Sequence, residues 1–196
     1  MATYFLSRHL DVQVKLQAEL DEALSCVHSD VAPYESIKNL PYLNAVINEM
    51  LRLHTPVGAG LPRIVPKGGL DVLGHVFEEG VWLSVPVYNL HRSTEIWGRN
   101  ADEFIPERWI DVDAKAKARM MQSFAPFSIG PRGCIGRNLA LMQLHIMIAT
   151  LFRRYSFVVS NSDKPLPIQD SLVRKPKECV IGVSYVCVVV LDDIVN

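Results

Sequence analysis

The chain has 196 residues, of which 49% are hydrophobic and 21% are charged, and its formal net charge is −1. This composition is typical of one globular domain with a sizeable core. It excludes an intrinsically disordered chain, and it gives no overall basic balance that would indicate binding to nucleic acid.

Two helices are predicted in the first third of the chain. In residues 11–24, valine or leucine recurs at every fourth position, and Asp11 is the predicted N-cap. A second helix is predicted over residues 35–54, because apolar residues again follow helical spacing and Pro56 ends the pattern.

The remaining segments alternate between strands, a loop and one long helix. Residues 58–88 contain valine-rich runs separated by Gly and Pro, which predicts hairpin strands. Residues 91–126 are polar, with few periodic signals, and are predicted to form a long ordered meander. Residues 137–153 are apolar nearly all round, which predicts a buried helix. Residues 155–190 return to short strands with a Pro-rich turn.

The cysteines and the longest apolar run limit the class of protein further. The four cysteines, at positions 26, 134, 179 and 187, form no C-x-x-C pair, so we expect reduced thiols rather than a zinc site or a disulfide scaffold. Residues 179–191 are apolar but too short to span a bilayer, and they predict a strand. The N-terminus does not have the pattern of a signal peptide.

The stretch FSIGPRGCIGR, residues 127–137, places Cys134 among three glycines and two arginines. A thiolate binds iron well if its charge is compensated, and glycines let backbone amides approach the sulfur. The helix predicted from Arg137 would add its positive end. A turn with an incidental cysteine is the alternative. The five fixed positions of F-x-x-G-x-R-x-C-x-G favour the functional interpretation.

The motif E-x-x-R occurs as Glu49 and Arg52 on the second predicted helix, and PERW follows with Arg108. Residues three apart share a helix face, and an exposed pair of this kind stabilises a helix by only about 0.2–0.5 kcal/mol. A solvated ion pair is therefore the default interpretation. Because this helix is rich in apolar residues, the alternative is a partly buried pair that needs a further partner such as Arg108.

These three motifs together, in this order, resemble the C-terminal half of a cytochrome P-450, a haem-thiolate monooxygenase. The resemblance covers about residues 3–185. It implies a mainly α fold with small β-sheets, in which residues 1–196 form a single partial domain. It also implies haem b as the cofactor, with the Cys134 thiolate as the axial iron ligand.

The resemblance further implies roles for residues around the haem. Phe127 would shield the sulfur side, while Arg132 and Arg63 would bind the two propionates. Glu49, Arg52 and Arg108 would form a buried ion network behind the haem. The other implied residues are Gly130 and Gly136 in the cofactor loop, and Val57, Gly58, Ala59, Gly60, Leu61, Leu172 and Val173 along the substrate pocket.

Three strings, YLNAVINEMLRLHTPVGAGLPRIVPKGGL, LSVPVYNLHRSTEIWG and PFSIGPRGCIGRNLA, most resemble fungal benzoate para-hydroxylases. The implied reaction inserts one oxygen atom from O2 into an organic substrate, such as benzoate or a related aromatic acid. Electrons would come from NADPH through NADPH-cytochrome P-450 reductase. The full-length family implies the cytosolic face of the endoplasmic reticulum membrane.

Several positions carry an open alternative. Lys115, Lys117 and Arg119 form either a solvated loop or a docking patch for the reductase. His145 is expected to be a packed histidine rather than a ligand, and His9, His54, His75 and His91 form no metal spacing. The cysteines outside the motif, Cys26, Cys179 and Cys187, are expected to be structural thiols.

The sequence also departs from the family pattern. The acid–threonine pair that delivers protons to dioxygen does not precede Thr3, Leu10 stands where the family usually has proline, and the tail after Tyr185 is unlike the family. We expect that the N-terminal half and the membrane anchor of the family are absent. We therefore expect a fragment that is inactive alone. The alternatives are a non-catalytic haem-binding fragment, another fungal secondary-metabolism monooxygenase, or a haem-free scaffold or interaction domain.

Overall fold

The computed structural model describes residues 1–159 and 166–186. Within them, helices dominate and strands are short, so the predicted mainly α fold with small sheets is confirmed. The α-helices are α1 (Ala2–Arg8), α2 (Leu10–Ala23), α3 (Tyr34–Ile37), α4 (Pro41–Leu53), α5 (Val87–Leu90), α6 (Thr94–Trp97), α7 (Ala114–Ser123) and α8 (Arg137–Arg154), with 3-10 turns at Pro106–Trp109 and Gly130–Arg132.

The strands of the described residues form four two-stranded antiparallel sheets. Two of these sheets lie between α4 and α5, as the Gly- and Pro-punctuated sequence predicts. The pairs are β1 (Arg63–Ile64) with β4 (Trp82–Leu83), β2 (Leu70–Val72) with β3 (His75–Phe77), β5 (Tyr155–Val159) with β8 (Ile181–Tyr185), and β6 (Ile168–Gln169) with β7 (Lys175–Pro176). Cys187, part of the predicted strand over residues 179–191 and part of the Pro-rich turn lie outside the described residues.

The predicted start of the first helix is wrong. Helix α2 begins at Leu10, its N-cap position is His9 without a side-chain cap, and Asp11 lies in the first turn. An acidic residue there still interacts favourably with the positive helix end. The preceding helix α1 was not predicted.

The helix predicted over residues 35–54 is divided in two. Helix α3 ends at Ile37, and α4 begins with Pro41 at its first position. The proline ring favours an extended conformation at the preceding residue, and Leu40 has φ −65° and ψ 119°. Pro41 therefore starts a new helix where the apolar pattern alone predicted continuity.

The meander contains more helix than its polar sequence predicted. Helix α7 spans ten residues, and the Asp113 side chain accepts hydrogen bonds from the amides of Lys115 and Ala116 at 2.9 Å each. Met120 is the buried residue of this helix. Because Met120 is the buried residue of this helix, its apolar face is too narrow to give a clear periodic signal, and its capping residue was the available signal.

Helix α8 forms where it was predicted, but it is buried only toward its C-terminal half. Its buried residues are His145, Ile148, Ala149 and Phe152, whereas Leu139 is 56% exposed and Met147 is 60% exposed. The prediction of a helix buried all round is wrong for its first turns, which follow directly on the cysteine loop.

The main core lies between α1, α2, α4 and α8, where Leu6, Leu16, Leu43 and Phe152 are fully buried. A second cluster, formed by Ala45, Trp97, Ala101, Trp109 and Met120, packs the meander against α4. Helix α4 is therefore covered from two sides, which explains how charged residues on it become inaccessible to water.

Strand β5 has helix side chains along the edge that does not face β8. The Gln13 side chain accepts a hydrogen bond from the Phe157 amide at 2.7 Å and donates one to the Phe157 carbonyl at 3.0 Å. Gln17 donates to the Tyr155 carbonyl at 3.3 Å. Helix α2 is thereby joined to the strand through its side-chain amides.

Candidate functional site

The loop that carries Cys134 is closed by its own backbone. The Cys134 amide donates to the Phe127 carbonyl at 2.8 Å, and the Gly133 amide donates to Gly130 at 2.9 Å. Gly130 has φ +76° and Ser128 has φ +62°, both in the left-handed region. The chain therefore turns back sharply between Phe127 and Cys134, and a glycine takes one of the two strained positions.

The thiol of Cys134 lies at the surface just before α8 begins at Arg137. A Cβ atom on Gly136 would lie 3.9 Å from the Cys134 sulfur, so glycine leaves the space beside the sulfur open. Ile135 is fully exposed and Leu139 is 56% exposed. An accessible sulfur at the positive end of an 18-residue helix, beside apolar side chains, is suited to hold an apolar ligand with an electrophilic metal.

Glu49 and Arg52 form a fully buried ion pair on α4. Arg52 Nε and Nη2 each donate to a Glu49 carboxylate oxygen at 2.8 Å, and both side chains have 0% exposure. The other Arg52 donors reach backbone carbonyls of His91 at 2.7 Å, Ala101 at 2.5 Å and Glu103 at 3.1 Å. One guanidinium therefore holds three points of the meander, and its donors are satisfied as a buried arginine requires.

Arg108 completes this network from the 3-10 turn of PERW. Its Nε donates to Glu49 Oε1 at 2.8 Å, and its Nη1 donates to the Trp97 carbonyl at 2.9 Å. Glu49 also accepts from the Ile105 amide at 3.0 Å and from the Trp109 indole at 2.9 Å. The structure brings together the three residues that the sequence motifs singled out. Trp109, the last residue of PERW, is a fourth member, to which the sequence analysis gave no role.

His91 connects this network to the segment that leads into the cysteine loop. It is fully buried; its Nδ1 lies 3.1 Å from the Arg52 carbonyl, and its Nε2 accepts from the Ala125 amide at 3.0 Å. Burial lowers the pKa of His91 to about 4, and the positive charges of Arg52 and Arg92 act in the same direction. The sequence showed only that this histidine has no metal-ligand spacing.

Arg63 and Arg132, the two arginines assigned to haem carboxylates, are both exposed. Arg63 lies on β1 and its Nη1 donates to the carbonyls of Leu61 at 3.2 Å and Pro62 at 3.0 Å. Arg132 ends the 3-10 turn before Cys134. Both guanidinium groups are accessible to an anionic ligand.

The two segments assigned to the substrate pocket are held side by side. The Arg174 amide, next to Val173, donates to the Pro56 carbonyl at 2.7 Å. The Tyr88 amide donates to Gly58 at 2.9 Å, and the Arg174 guanidinium lies 4.2 Å from the centre of the Tyr88 ring. Residues 57–61 and 172–173 therefore lie beside each other.

Gly60 is fixed by its surroundings. It has φ +76°, and a Cβ atom there would lie 2.0 Å from the Val85 carbonyl oxygen. The Ser84 hydroxyl donates to the Ala59 carbonyl at 2.9 Å. In the pocket segments, Leu61 is 45% exposed, Val173 49% and Leu172 72%, so apolar side chains remain accessible.

An open cleft of about 620 Å³ lies elsewhere, between α1 and the meander. Its lining includes Tyr4, Phe5, Leu53 and Phe104, and the Phe5 and Phe104 rings stack at 4.8 Å. The lining includes none of the residues assigned to haem or substrate, so this cleft is separate from the cysteine loop.

The basic residues Lys115, Lys117 and Arg119 lie on α7 and are exposed. Arg119 donates to the Glu95 carbonyl at 3.2 Å. Within residues 1–159 and 166–186, no three His, Cys, Asp or Glu side chains are grouped to hold a bare metal ion. No helix in this part of the chain is long and apolar enough to cross a membrane.

A sequence profile of the Cytochrome P450 family matches residues 1–183. The chain belongs to the cytochrome P450 family. P450s bind haem through a cysteine thiolate, and the cysteine loop fits this group because its thiol is accessible, its flanking glycines leave room, and its two arginines are exposed. The P450 family also generally uses a reductase partner and small-molecule substrates.

Several curated P450s from fungi are similar to this chain. Benzoate 4-monooxygenase bphA of Aspergillus niger is 40% identical over 183 residues, which are 92% of this chain and 35% of the relative. Cytochrome P450 monooxygenase penB of Penicillium thymicola is 36% identical over 90% of this chain and 39% of the relative. Pisatin demethylase of Fusarium vanettenii is 36% identical over 82% of this chain and 30% of the relative. The chain spans about a third of the length of these P450 relatives.

Proposed function

We propose that this chain is the haem-binding portion of a monooxygenase that inserts one oxygen atom from O2 into an aromatic acid such as benzoate. The observation that carries the proposal is the closed loop in which the Cys134 amide bonds to the Phe127 carbonyl at 2.8 Å beside an accessible thiol. Haem, when bound, supplies the iron at which dioxygen is activated. Cys134 would hold that iron as a thiolate, which favours O–O cleavage.

The other loop residues would orient the cofactor and compensate its charges. Arg132 and Arg63 would each pair with one haem propionate, since an arginine forms strong charge-assisted bonds with a carboxylate. Phe127 would cover the sulfur side, and Gly130 and Gly136 would let the backbone approach. The Glu49–Arg52–Arg108 network would keep the meander in place behind the cofactor.

The substrate would lie against residues 57–61 and 172–173, whose exposed apolar side chains suit an aromatic ring. The 40% identity to benzoate 4-monooxygenase bphA supports benzoate or a related acid. The 36% identity to penB and to pisatin demethylase supports a second candidate, a different fungal secondary-metabolism substrate on the same haem site.

Electrons would come from NADPH through NADPH-cytochrome P-450 reductase at the cytosolic face of the endoplasmic reticulum. The exposed cluster of Lys115, Lys117 and Arg119 on α7 would attract an acidic flavoprotein surface. Replacing Lys115 and Lys117 by glutamate should weaken reductase binding. Replacing the exposed Lys67, outside this cluster, should not.

The test of the haem proposal is the spectrum of reduced, carbon monoxide-treated protein. We expect the red-shifted Soret band of thiolate-ligated haem for the unaltered chain, loss of this band in Cys134→Ala, and no change in Cys26→Ala, which replaces another exposed thiol. An unchanged band in Cys134→Ala would contradict the assignment. If the chain does not retain haem, the same two substitutions are compared in a full-length P450 that contains this segment.

A further inference from the structure

The bonds of His91 determine its tautomer. The Ala125 amide can only donate, so His91 Nε2 must accept that 3.0 Å hydrogen bond and carry no proton. The proton therefore sits on Nδ1, which donates to the Arg52 carbonyl at 3.1 Å. The backbone carbonyl of His91 also accepts a hydrogen bond from Arg52 Nη1 at 2.7 Å. The ring is thus neutral and held from two sides.

Ala125 connects this ring to the cysteine loop. Its amide bonds to His91, and its carbonyl accepts from the Ser128 amide at 3.1 Å. Two residues after Ala125, the Phe127 carbonyl accepts from the Cys134 amide at 2.8 Å. A short chain of hydrogen bonds therefore runs from α4 through one imidazole to the amide of the thiol-bearing residue.

Aromatic packing holds the imidazole in place. The His91 ring centroid lies 5.5 Å from that of Phe124 and 6.2 Å from that of Trp97, and His91 has no exposed surface. A side chain whose rotamer is locked by packing can position a neighbouring loop more closely than an exposed one.

We infer that His91, as the Nδ1–H tautomer, is the positioning residue that ties the cysteine loop to the buried ion network of α4. Its Nε2 sets where the chain enters the loop, and its Nδ1–H and carbonyl fix it to Arg52. The consequence for haem binding rests on the proposed function. The positioning itself is a property of the loop and can be measured without the cofactor.

The chain offers a matched control in His145. This histidine is 5% exposed, its Nδ1 lies 2.7 Å from the Leu141 carbonyl, and its Nε2 lies 3.0 Å from Asn44 Oδ1. It is therefore also buried, with an oxygen acceptor beside each ring nitrogen, but these contacts do not lead to the cysteine loop. Replacing either histidine by leucine removes the polar contacts of a buried imidazole and retains much of the volume.

The experiment measures hydrogen exchange at the amides of Ala125 and Cys134 in the 196-residue chain. In His91→Leu we expect both to exchange about tenfold faster, as the loss of one typical hydrogen bond implies. His91→Gln, which keeps an acceptor for the Ala125 amide, should restore most of the protection. His145→Leu should leave both amides unchanged. Equal exchange in His91→Leu and His145→Leu would overturn the inference.

A second measurement needs no substitution and covers the case in which His91→Leu does not fold. The imidazole nitrogens of the unaltered chain, observed by 15N NMR, should show the proton of His91 on Nδ1. A proton on Nε2 would overturn the inference. If the exchange results hold while the carbon monoxide spectrum lacks the thiolate band, the proposed function fails and the positioning role stands. If the thiolate band is present while the exchange results do not hold, the positioning role fails and the proposed function stands.

Discussion

Glu49 and Arg52 meet through two parallel hydrogen bonds of 2.8 Å, and neither side chain has any exposed surface. Replacing Glu49 by glutamine would leave two arginines, Arg52 and Arg108, without their shared carboxylate. We expect the free energy of unfolding to fall by about 3–5 kcal/mol, because breaking a buried pair leaves uncompensated charge. Urea denaturation measures this loss.

The control for this prediction is the Glu35–Lys38 pair. It has the same i,i+3 spacing, but the Glu35 side chain is 78% exposed. Glu35→Gln should leave the urea midpoint unchanged within error. Equal losses in the two variants would mean that burial of the Glu49 pair has no energetic consequence.

Stability should fall at acidic pH because His91 is buried as a neutral base. Its pKa is about 4 in the folded chain, against an ordinary value of 6.5, so the unfolded chain binds the proton first. The contribution of neutral His91 to the free energy of unfolding is complete above pH 6.5 and is lost as the pH falls toward 4. This contribution amounts to at most about 3 kcal/mol. Protonation would also end the bond from Ala125 and add charge beside Arg52 and Arg92.

The measurement for this pH effect is the unfolding free energy at several pH values between 7 and 4. His91→Gln cannot titrate in this range, so its curve should be flatter than that of the unaltered chain. His54 has a pKa lowered to about 4, first by burial and then by nearby positive charge, and it remains as a second contribution. Identical slopes with and without His91 would contradict the prediction.

Gly60 should not tolerate a side chain. Its φ of +76° is unfavourable for other residues by about 1–2 kcal/mol, and a Cβ atom would also lie 2.0 Å from the Val85 carbonyl oxygen. Gly68 has φ +94° but no atom within 4 Å of its Cβ position. We expect Gly60→Ala to lower the thermal midpoint clearly more than Gly68→Ala, and similar shifts would show that the contact with Val85 relaxes without cost.

Hydroxylation by the 196-residue chain alone should be absent. Within the described residues, Cys134, Ile135 and Leu139 are all exposed, so the site is open to water on that side, whereas oxygen chemistry depends on excluding it. The measurement is NADPH-dependent hydroxylation of benzoate with reductase, compared with free haem. Turnover coupled to NADPH consumption above that control would contradict the prediction.

The sequence predicted the three charged residues of the network but not the aromatic and histidine residues that complete it. Glu49, Arg52 and Arg108 belong to motifs whose order is informative. Trp109 and His91 act through contacts with residues 60 and 39 positions away, respectively, and local periodicity contains no signal for such contacts. Tertiary packing decides their roles.

Local sequence patterns also predicted some of the helices and not others. The apolar sequence predicted the position of α8 well, because a long apolar segment is a local property. It did not predict the break at Pro41, where proline geometry outweighs the pattern, or α7, which buries Met120. It also predicted burial for the first turns of α8, where apolar side chains such as Leu139 face outward beside the cysteine loop.

The two bonds between Gln13 and Phe157 have a consequence for self-association. An unpaired strand edge offers amides and carbonyls to any other extended chain, and this is a common route to aggregation. On β5, the side-chain amide of Gln13 occupies the outward amide and carbonyl of Phe157, and Gln17 occupies the carbonyl of Tyr155. Helix α2 therefore acts as a substitute neighbour that prevents β5 from recruiting a strand of a second molecule at these positions.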